Sequence, residues 1–521
     1  MTTLSSHDLT LGRCQRTNMR RRDGSGRVTP VTTRRWLFAD QLGPQFLDTP
    51  DQPALLVESR AVFRRRPFHR AKAHLLLSAL RHRAAELGDQ AIFLQVDTYD
   101  EALDQIDQPL SVVQPTSYAA DAFVRARGLE VVPDGRGFAT TRQDFAGWVN
   151  GRKRLLMEDF YRWQRARFEL LMDGDEPTGG RWNLDHDNRE PPPKRATLGL
   201  PEPWWPTEDD LDAQVREDLD RWQRDGLAHF VGDDGPRWAP ATATEAQAAL
   251  SHFIEHRLAD FGPTEDAMLA ADPWMAHSAL SPALNLGLLH PLTCVHAAEQ
   301  AYRRGLAPLN SVEGYIRQVI GWREYIWSLY WHVPPDYRQR NALDATRDLP
   351  GWFQELDARG EVTANCLASV LRDIRTRGWV HHIPRLMILG NYALQRGWDP
   401  AQVTAWFNEV FVDGYDWVML TNVTGMSLHA DGGLVATKPY ASGGAYINRM
   451  SNYCGSCAYD PKVRVGPTAC PFTAGYWAFL DRNADRLRGN RRMLQPLAGL
   501  TRLKDLPEVI EQERERGDAA P

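Results

Sequence analysis

A change in hydrophobic period along the chain limits its possible folds more than any other feature. Between residues 35 and 132 the apolar runs Trp36-Leu37-Phe38, Ala54-Leu55-Leu56-Val57, Ala91-Ile92-Phe93-Leu94 and Leu129-Glu130-Val131-Val132 are short. They read as buried strands. Stretches with helical spacing lie between them; over 72–87, Leu76, Leu77, Leu80, Ala84 and Leu87 share one face. Strand alternating with helix predicts a parallel sheet joined by crossovers. Ligands of such sheets bind beyond the carboxyl ends of the strands, so the loop Ala39-Asp40-Gln41-Leu42 is a candidate site.

From 173 to 210 the chain is rich in Pro, Gly and charge, including Pro191-Pro192-Pro193, and reads as a linker. Beyond 243 the strand signal fades, and 245–492 reads as successive amphipathic helices, which predicts an all-α second domain. The first 35 residues carry eight Arg against Asp8 and Asp23 and lack the apolar core of a secretory signal. The resulting division is a disordered basic leader over 1–34, an α/β domain over 35–150, a helix and linker over 151–244, a helical domain over 245–505 and a polar tail over 506–521.

With 61 basic and 67 acidic residues the formal net charge is −6, which argues against a histone-like binder. Any contact with DNA has to use a local basic patch. No run of 18 apolar residues occurs, so no membrane span is expected. Six Cys in 521 residues do not make a secreted disulfide framework, and a reducing cytoplasm fits better.

Four Cys form a pattern: Cys454-x-x-Cys457, then Cys470 followed by Pro471, with Cys366 far upstream. A C-x-x-C pair puts two sulfurs on one turn, near enough to share a metal centre, and the spacing admits either zinc or an iron-sulfur cluster. Joining Cys366 to a loop far downstream would brace the end of the helical domain. His381 and His382 stand together, followed by Arg385, on what reads as an apolar helix. Adjacent residues lie about 100° apart on a helix, so the two imidazoles cannot be equally buried. Paired imidazoles beside an arginine suit proton transfer near neutral pH.

Several motifs carry a family resemblance: Gly321-Trp322-Arg323-Glu324-Tyr325, His381-His382-Ile383-Pro384-Arg385-Leu386-Met387, Asp413-Gly414-Tyr415-Asp416-Trp417, Thr437-Lys438-Pro439-Tyr440 and Tyr446-Ile447-Asn448-Arg449-Met450 leading to Cys454. Together they resemble the iron-sulfur bacterial cryptochromes and photolyases, the prokaryotic 6-4 photolyases. The resemblance implies a Rossmann-like α/β antenna domain and a helical domain enclosing FAD. It also implies a 4Fe-4S cluster on Cys366, Cys454, Cys457 and Cys470. Ser278 and Ser281 match a phosphate-binding turn, and Arg323, Arg385 and Asp413 match residues around the cofactor, with Asn285 and Gln318 as further candidates. The implied activity is light-driven repair of 6-4 pyrimidine-pyrimidone lesions in UV-damaged DNA, single- or double-stranded. His381 and His382 would transfer protons and Tyr440 would pack on the lesion. A cytoplasmic monomer is expected.

The chain departs from the family pattern at three positions. Met419 stands where the family has an acid or amide beside the flavin. The family's photoreduction Trp matches Trp406, but Phe407 and Ala358 replace the next two aromatic residues, leaving Trp379, Trp352 and Tyr415 as other electron donors. Asp40, Gln41 and Glu58 look like the antenna region, which implies 6,7-dimethyl-8-ribityllumazine. Lys438, Arg449, Lys462 and Arg464 are candidate phosphate contacts. The alternative activity is a cryptochrome-like blue-light receptor that binds FAD without repair.

Overall fold

A computed structural model describes residues 20–22, 28–30, 33–133 and 135–521. Five strands form one parallel sheet: β1 (Arg34–Leu37), β2 (Ala54–Ser59), β3 (Ala91–Val96), β4 (Leu110–Val113) and β5 (Glu130–Val132). Their order is β3-β2-β1-β4-β5. Arg35 pairs with Ala54 of β2, and Trp36 with Val112 of β4. The order reverses between β1 and β4, and in doubly wound sheets this switch point is where ligands bind. β4 is the strand that the apolar runs do not reveal. It has four residues, and Pro109 and Pro115 stand just outside it.

The helix Arg70–Leu87 covers one face of the sheet. Its Leu75, Ala79, Leu80 and Leu87 join Leu37 and Leu56 in a core that runs on into the helical domain. Its other buried apolar side chains, Ala73 and Leu77, pack with Val215, Leu219 and Trp222 of the helix Asp210–Arg224. That helix starts at a capping box in which Asp209 and Asp212 satisfy each other's backbone N–H groups. The helical domain has a second core around Phe353, Leu367, Val370, Ile388, Tyr392, Phe472 and Leu480. Among the described residues no helix is long and apolar enough to cross a membrane.

Three differences from the sequence reading stand out. The expected polar tail is the helix Leu506–Arg516, which buries Val509 and pairs Glu513 with Arg396. The Pro521 carbonyl accepts hydrogen bonds from the N–H groups of Thr363 and Ala364, next to Cys366. Polar composition hid a helix with one buried stripe. The leader expected over 1–34 falls mostly outside the described residues, and Arg34 already belongs to β1. Finally, His381 precedes its helix and His382 lies in the first turn, because Pro384 fixes the helix start there.

Candidate active site

The centre of the site is an ion pair. Arg385 donates Nη1 to Asp413 Oδ1 at 2.8 Å and Nη2 to Asp413 Oδ2 at 3.0 Å, and its Nε donates to the Val380 carbonyl at 2.7 Å. Ser281 Oγ donates to Asp413 Oδ2 at 2.6 Å, and Asn285 Nδ2 donates to the Asp413 carbonyl at 3.0 Å. Such a two-pronged contact fixes both direction and rotation of the carboxylate. Four residues named from the sequence therefore meet at one point.

Irregular helix positions them. Arg385 lies in a π-helical segment, Pro384–Gly390; Gln318 and Arg323 lie in another, Arg317–Arg323; Met419 leads into a third, Leu420–Ser427. Each π turn inserts one residue into the helical spacing and rotates the side chains that follow, a device often found at functional sites. Ala279 adopts φ +53°, a left-handed conformation costly for a residue with a Cβ, in the turn that delivers Ser278 and Ser281.

Lys72, from the α/β domain, reaches under the pair and donates Nζ to the carbonyls of Asn408 and Gly414. Burial pushes its ammonium down to about 7, against the attraction of Asp413 and Glu409. The sequence reading missed it. Its signal was a lysine in register with Leu76 and Ala79 on the apolar stripe of the helix Arg70–Leu87.

Three imidazoles gather beside the ion pair. The rings of His277 and His381 stack at 4.2 Å and 20°, and His382 lies 5.5 Å from His277 and 5.9 Å from His381. His381 is buried, whereas the side chain of His382 is 43% exposed with Nε2 3.5 Å from Asp266. The unequal burial expected for neighbours is what the structure has. Burial holds both His277 and His381 well below the ordinary imidazole range; for His381 the rings of His277 and His382 and the Arg385 cation add to it. His277 Nε2 and His381 Nδ1 are buried without a hydrogen-bond partner. No sequence signal joins His277 to a pair a hundred residues away.

Tyr440 is half-buried, and burial raises its hydroxyl pKa in surroundings that include Arg189, Asp185 and Asp266. It thus faces the His382 side of the site. Gln318 does not reach the ion pair, since its Nε2 donates to Glu265. Arg323 is buried against Glu324 at 2.8 Å and lies over the rings of Phe138 at 4.3 Å and Trp417 at 5.2 Å, at the seam between the domains. Met419 is buried in the helical core. Ser278 lines a narrow cleft with Trp204, Trp238 and Arg257.

Of the expected electron donors, Trp379 touches the site, donating Nε1 to Ser281 Oγ at 3.4 Å. Tyr415 lies against Lys72, its hydroxyl buried without a partner. Trp406 packs on Phe353 at 4.4 Å. Arg464 is engaged by Asp505 at 2.7 Å, so it is not a free phosphate ligand, while Lys438 and Lys462 are exposed.

At the sheet's switch point, Asp40 and Gln41 line a small cavity with Gln114, Thr116, Asn285 and Trp417. It lies between the two domains. Asp40 accepts a hydrogen bond from the Thr116 hydroxyl, and burial raises its carboxyl to about 6. Glu58 does not belong to this cavity. Both of its oxygens accept from Arg81 at 3.0 Å, and Gln95 donates to them at 3.3 Å. Its carboxylate is saturated.

The four expected cysteines line a single small cavity. A Cβ on Gly444 would lie 2.8 Å from Cys470 Sγ, so only glycine fits there. Burial pushes the Cys366 thiol well up, and that of Cys454 to about 12. Among the described residues no three of these sulfurs lie within 4.8 Å of one another.

A doubly wound domain covering a helical pocket defines a two-domain protein whose site is built across the seam. Comparisons with known proteins narrow this class. Residues 35–229 match the family model described as deoxyribodipyrimidine photo-lyase-related protein. Over 493 residues, 90% of this chain and 95% of the relative, the sequence is 40% identical to a (6-4) photolyase from Agrobacterium fabrum (strain C58 / ATCC 33970). A bacterial class III photolyase from Agrobacterium tumefaciens has the same fold, with a TM-score of 0.52 at 18% identity, covering 94% of this chain and 96% of that one. The chain belongs to the bacterial photolyase/cryptochrome family.

Proposed function

We propose that this chain reverses 6-4 pyrimidine-pyrimidone photoproducts in UV-damaged DNA, single- or double-stranded, in a light-dependent reaction. The family supports the reaction class, and one structural observation carries the residue assignment: stacked imidazoles, one side buried and one open to water, beside the Arg385–Asp413 pair.

The residues fit FAD, the cofactor that the family implies. Ser281, Asn285, Arg385 and Asp413 offer hydroxyl, amide and charged groups in one place, and Ser278, on the same turn as Ser281, lines a cleft with the indoles of Trp204 and Trp238. When bound, FAD supplies absorption of blue light and one-electron transfer to the lesion. Arg385 holds Asp413 in a single orientation, and Lys72 fixes the loop that carries it from beneath.

A damaged dinucleotide is flipped out of the helix before reaction, and its weakened pairing lowers the cost. His381 Nδ1 has no protein partner and is open to a hydrogen bond from the flipped base. A proton enters from water at His382, beside Asp266, and reaches the base by way of the buried, neutral His381 imidazole, which passes it on rather than storing it. Tyr440 closes the outer side. Incubating the reduced protein with an oligonucleotide bearing one 6-4 lesion under blue light tests the reading. Restored pyrimidines are expected; lesion unchanged after prolonged light would refute it.

The cysteine cavity fits a 4Fe-4S cluster better than one zinc ion. Tetrahedral zinc with bonds of about 2.3 Å draws its sulfurs to about 3.8 Å from one another, whereas among the described residues no three of these sulfurs gather within 4.8 Å, which suits a larger centre. A metal centre would also supply the charge that buried thiolates lack. The Asp40–Gln41 cavity is the proposed lumazine site. A cytoplasmic monomer is proposed. Buried Met419 favours a second reading, a blue-light receptor, because a thioether is a poor hydrogen-bond acceptor beside a flavin. The lesion assay separates the two.

A further inference from the structure

We infer that His277, His381 and His382 form a three-imidazole site for a borderline divalent cation such as zinc, and that the bound ion switches lesion repair off. The switch rests on the proton-transfer reading above; the site does not. Among the described residues, two sets of three metal-ligating side chains come together: these histidines, and His82 with Asp209 and Asp212. The second set is already in use. Asp212 is gripped by Arg237 at 2.9 Å and shares a capping box with Asp209.

The imidazoles are not committed in this way. One ring nitrogen of each lies within 4.8 Å of the other two. Buried polar atoms are nearly always paired, yet His277 Nε2 and His381 Nδ1 are buried without a hydrogen-bond partner. His277 and His381 lie inside the protein, whereas His382 reaches solvent and gives an ion its way in. The supporting contacts suit a metal as well. The Asp266 carboxylate, 3.5 Å from His382 Nε2, is the kind of partner that orients a metal-bound imidazole, and the backbone of Glu265 holds the His277 ring.

A tetrahedral ion with bonds of about 2.0 Å sets its nitrogens about 3.3 Å apart. The cluster therefore contracts on binding, and the His277 and His381 rings, stacked at 20°, tilt until their lone pairs converge. Each ring gives the ion the lone pair of one nitrogen and keeps its proton on the other. Three protein ligands leave a fourth position for water. Neutral nitrogen donors select zinc, copper or nickel over magnesium, which prefers oxygen. A nitrogen engaged by the ion has no lone pair left to accept a proton, so transfer from water through His382 and His381 to the base stops until the ion is removed.

The test uses the intact protein in the dark, with zinc chloride as the probe and magnesium chloride as its control. Calorimetry should find one zinc at this site that magnesium does not displace. His382→Ala removes a partly exposed ring with little risk to folding and should weaken zinc about 100-fold, as should His381→Ala. His256→Ala breaks a different histidine pair, whose rings meet at 4.6 Å, and should leave binding unchanged. X-ray absorption at the zinc edge should show imidazole nitrogen at about 2.0 Å. Zinc should also slow lesion turnover about 100-fold, and a chelator should restore it. Sulfur at about 2.3 Å in place of nitrogen would put the ion on the cysteines and overturn the site. So would equal zinc affinity in His382→Ala and the unaltered protein, or a loss confined to His256→Ala. Full repair in saturating zinc would overturn the switch. Protein that binds zinc through these histidines but repairs nothing even after chelation would overturn the repair reading, and the switch with it, and leave the site standing.

Discussion

A buried arginine–carboxylate fork stands in each domain, and the two do different work. In the α/β domain Arg81 grips both oxygens of Glu58, Gln95 donates to them again, and Asp218 engages the same guanidinium. In the helical domain Arg385 grips Asp413 in the same way, but the further partners are Ser281 and Asn285 and the neighbours are imidazoles. Both carboxylates look like cofactor residues in the sequence. The first fork closes on itself and joins sheet to helix, whereas the second orients groups around a pocket. A charged pair marks a functional site only when its surroundings leave polar atoms unsatisfied, as His277 Nε2 and His381 Nδ1 are left.

Neutralising each carboxylate gives the largest expected contrast. Breaking one partner of a buried pair costs about 3–5 kcal/mol in stability, so Glu58→Gln and Asp413→Asn should both lower the unfolding midpoint in thermal melts. Only Asp413→Asn should also lose flavin on gel filtration and with it all lesion repair. Flavin loss in Glu58→Gln at a temperature where the protein stays folded would break the contrast.

Next in size is the imidazole cluster. Removing a positioned proton-transfer group costs about 10²–10⁴-fold in rate, and His381→Ala should show this in lesion turnover under saturating light with its flavin spectrum unchanged. His277→Ala separates a third working imidazole from a packing partner. A partner that only supports the stack predicts a smaller loss, restored by His277→Asn or His277→Gln.

The sequence made one part of this site legible and hid another, for physical reasons. Cys366, Cys454, Cys457 and Cys470 were readable because sulfur chemistry needs fixed spacing, and they line one cavity as expected. Asp40 was readable because topology alone places the end of β1 at a binding edge. Lys72 and His277 were not, because each acts through contacts more than a hundred residues away. The π turns add a further loss: they shift the helical register at the very segments that carry Arg385, Gln318 and Met419. Gln318 accordingly points to Glu265 rather than to the cofactor pocket.

A smaller effect tests whether the C-terminal helix belongs to the helical core. Arg396 and Glu513 are both nearly enclosed, and Glu513→Gln leaves the guanidinium without its counter-charge. A loss of about 3 kcal/mol in urea unfolding is expected, with lesion repair unchanged at low temperature. An unchanged midpoint would return the segment 506–521 to the status of a loosely held tail.

The smallest expected effect is confined to the domain seam and depends on pH. Burial raises the Asp40 carboxyl from 3.8 to about 6, so between those values the folded protein binds more proton than the unfolded chain. Stability contributed by this group is then present below pH 3.8 and is lost as pH rises through 6. Asp40→Asn keeps an acceptor for the Thr116 hydroxyl and removes the charge. Its melting temperature should exceed that of the unaltered protein above pH 6 and converge with it toward pH 4. A difference independent of pH would assign Asp40 a packing role. A difference of opposite sign would place an unrecognised cation in the cavity with Gln41 and Gln114, and the seam would then be an electrostatic site like the Asp413 fork rather than a closed one like that of Glu58.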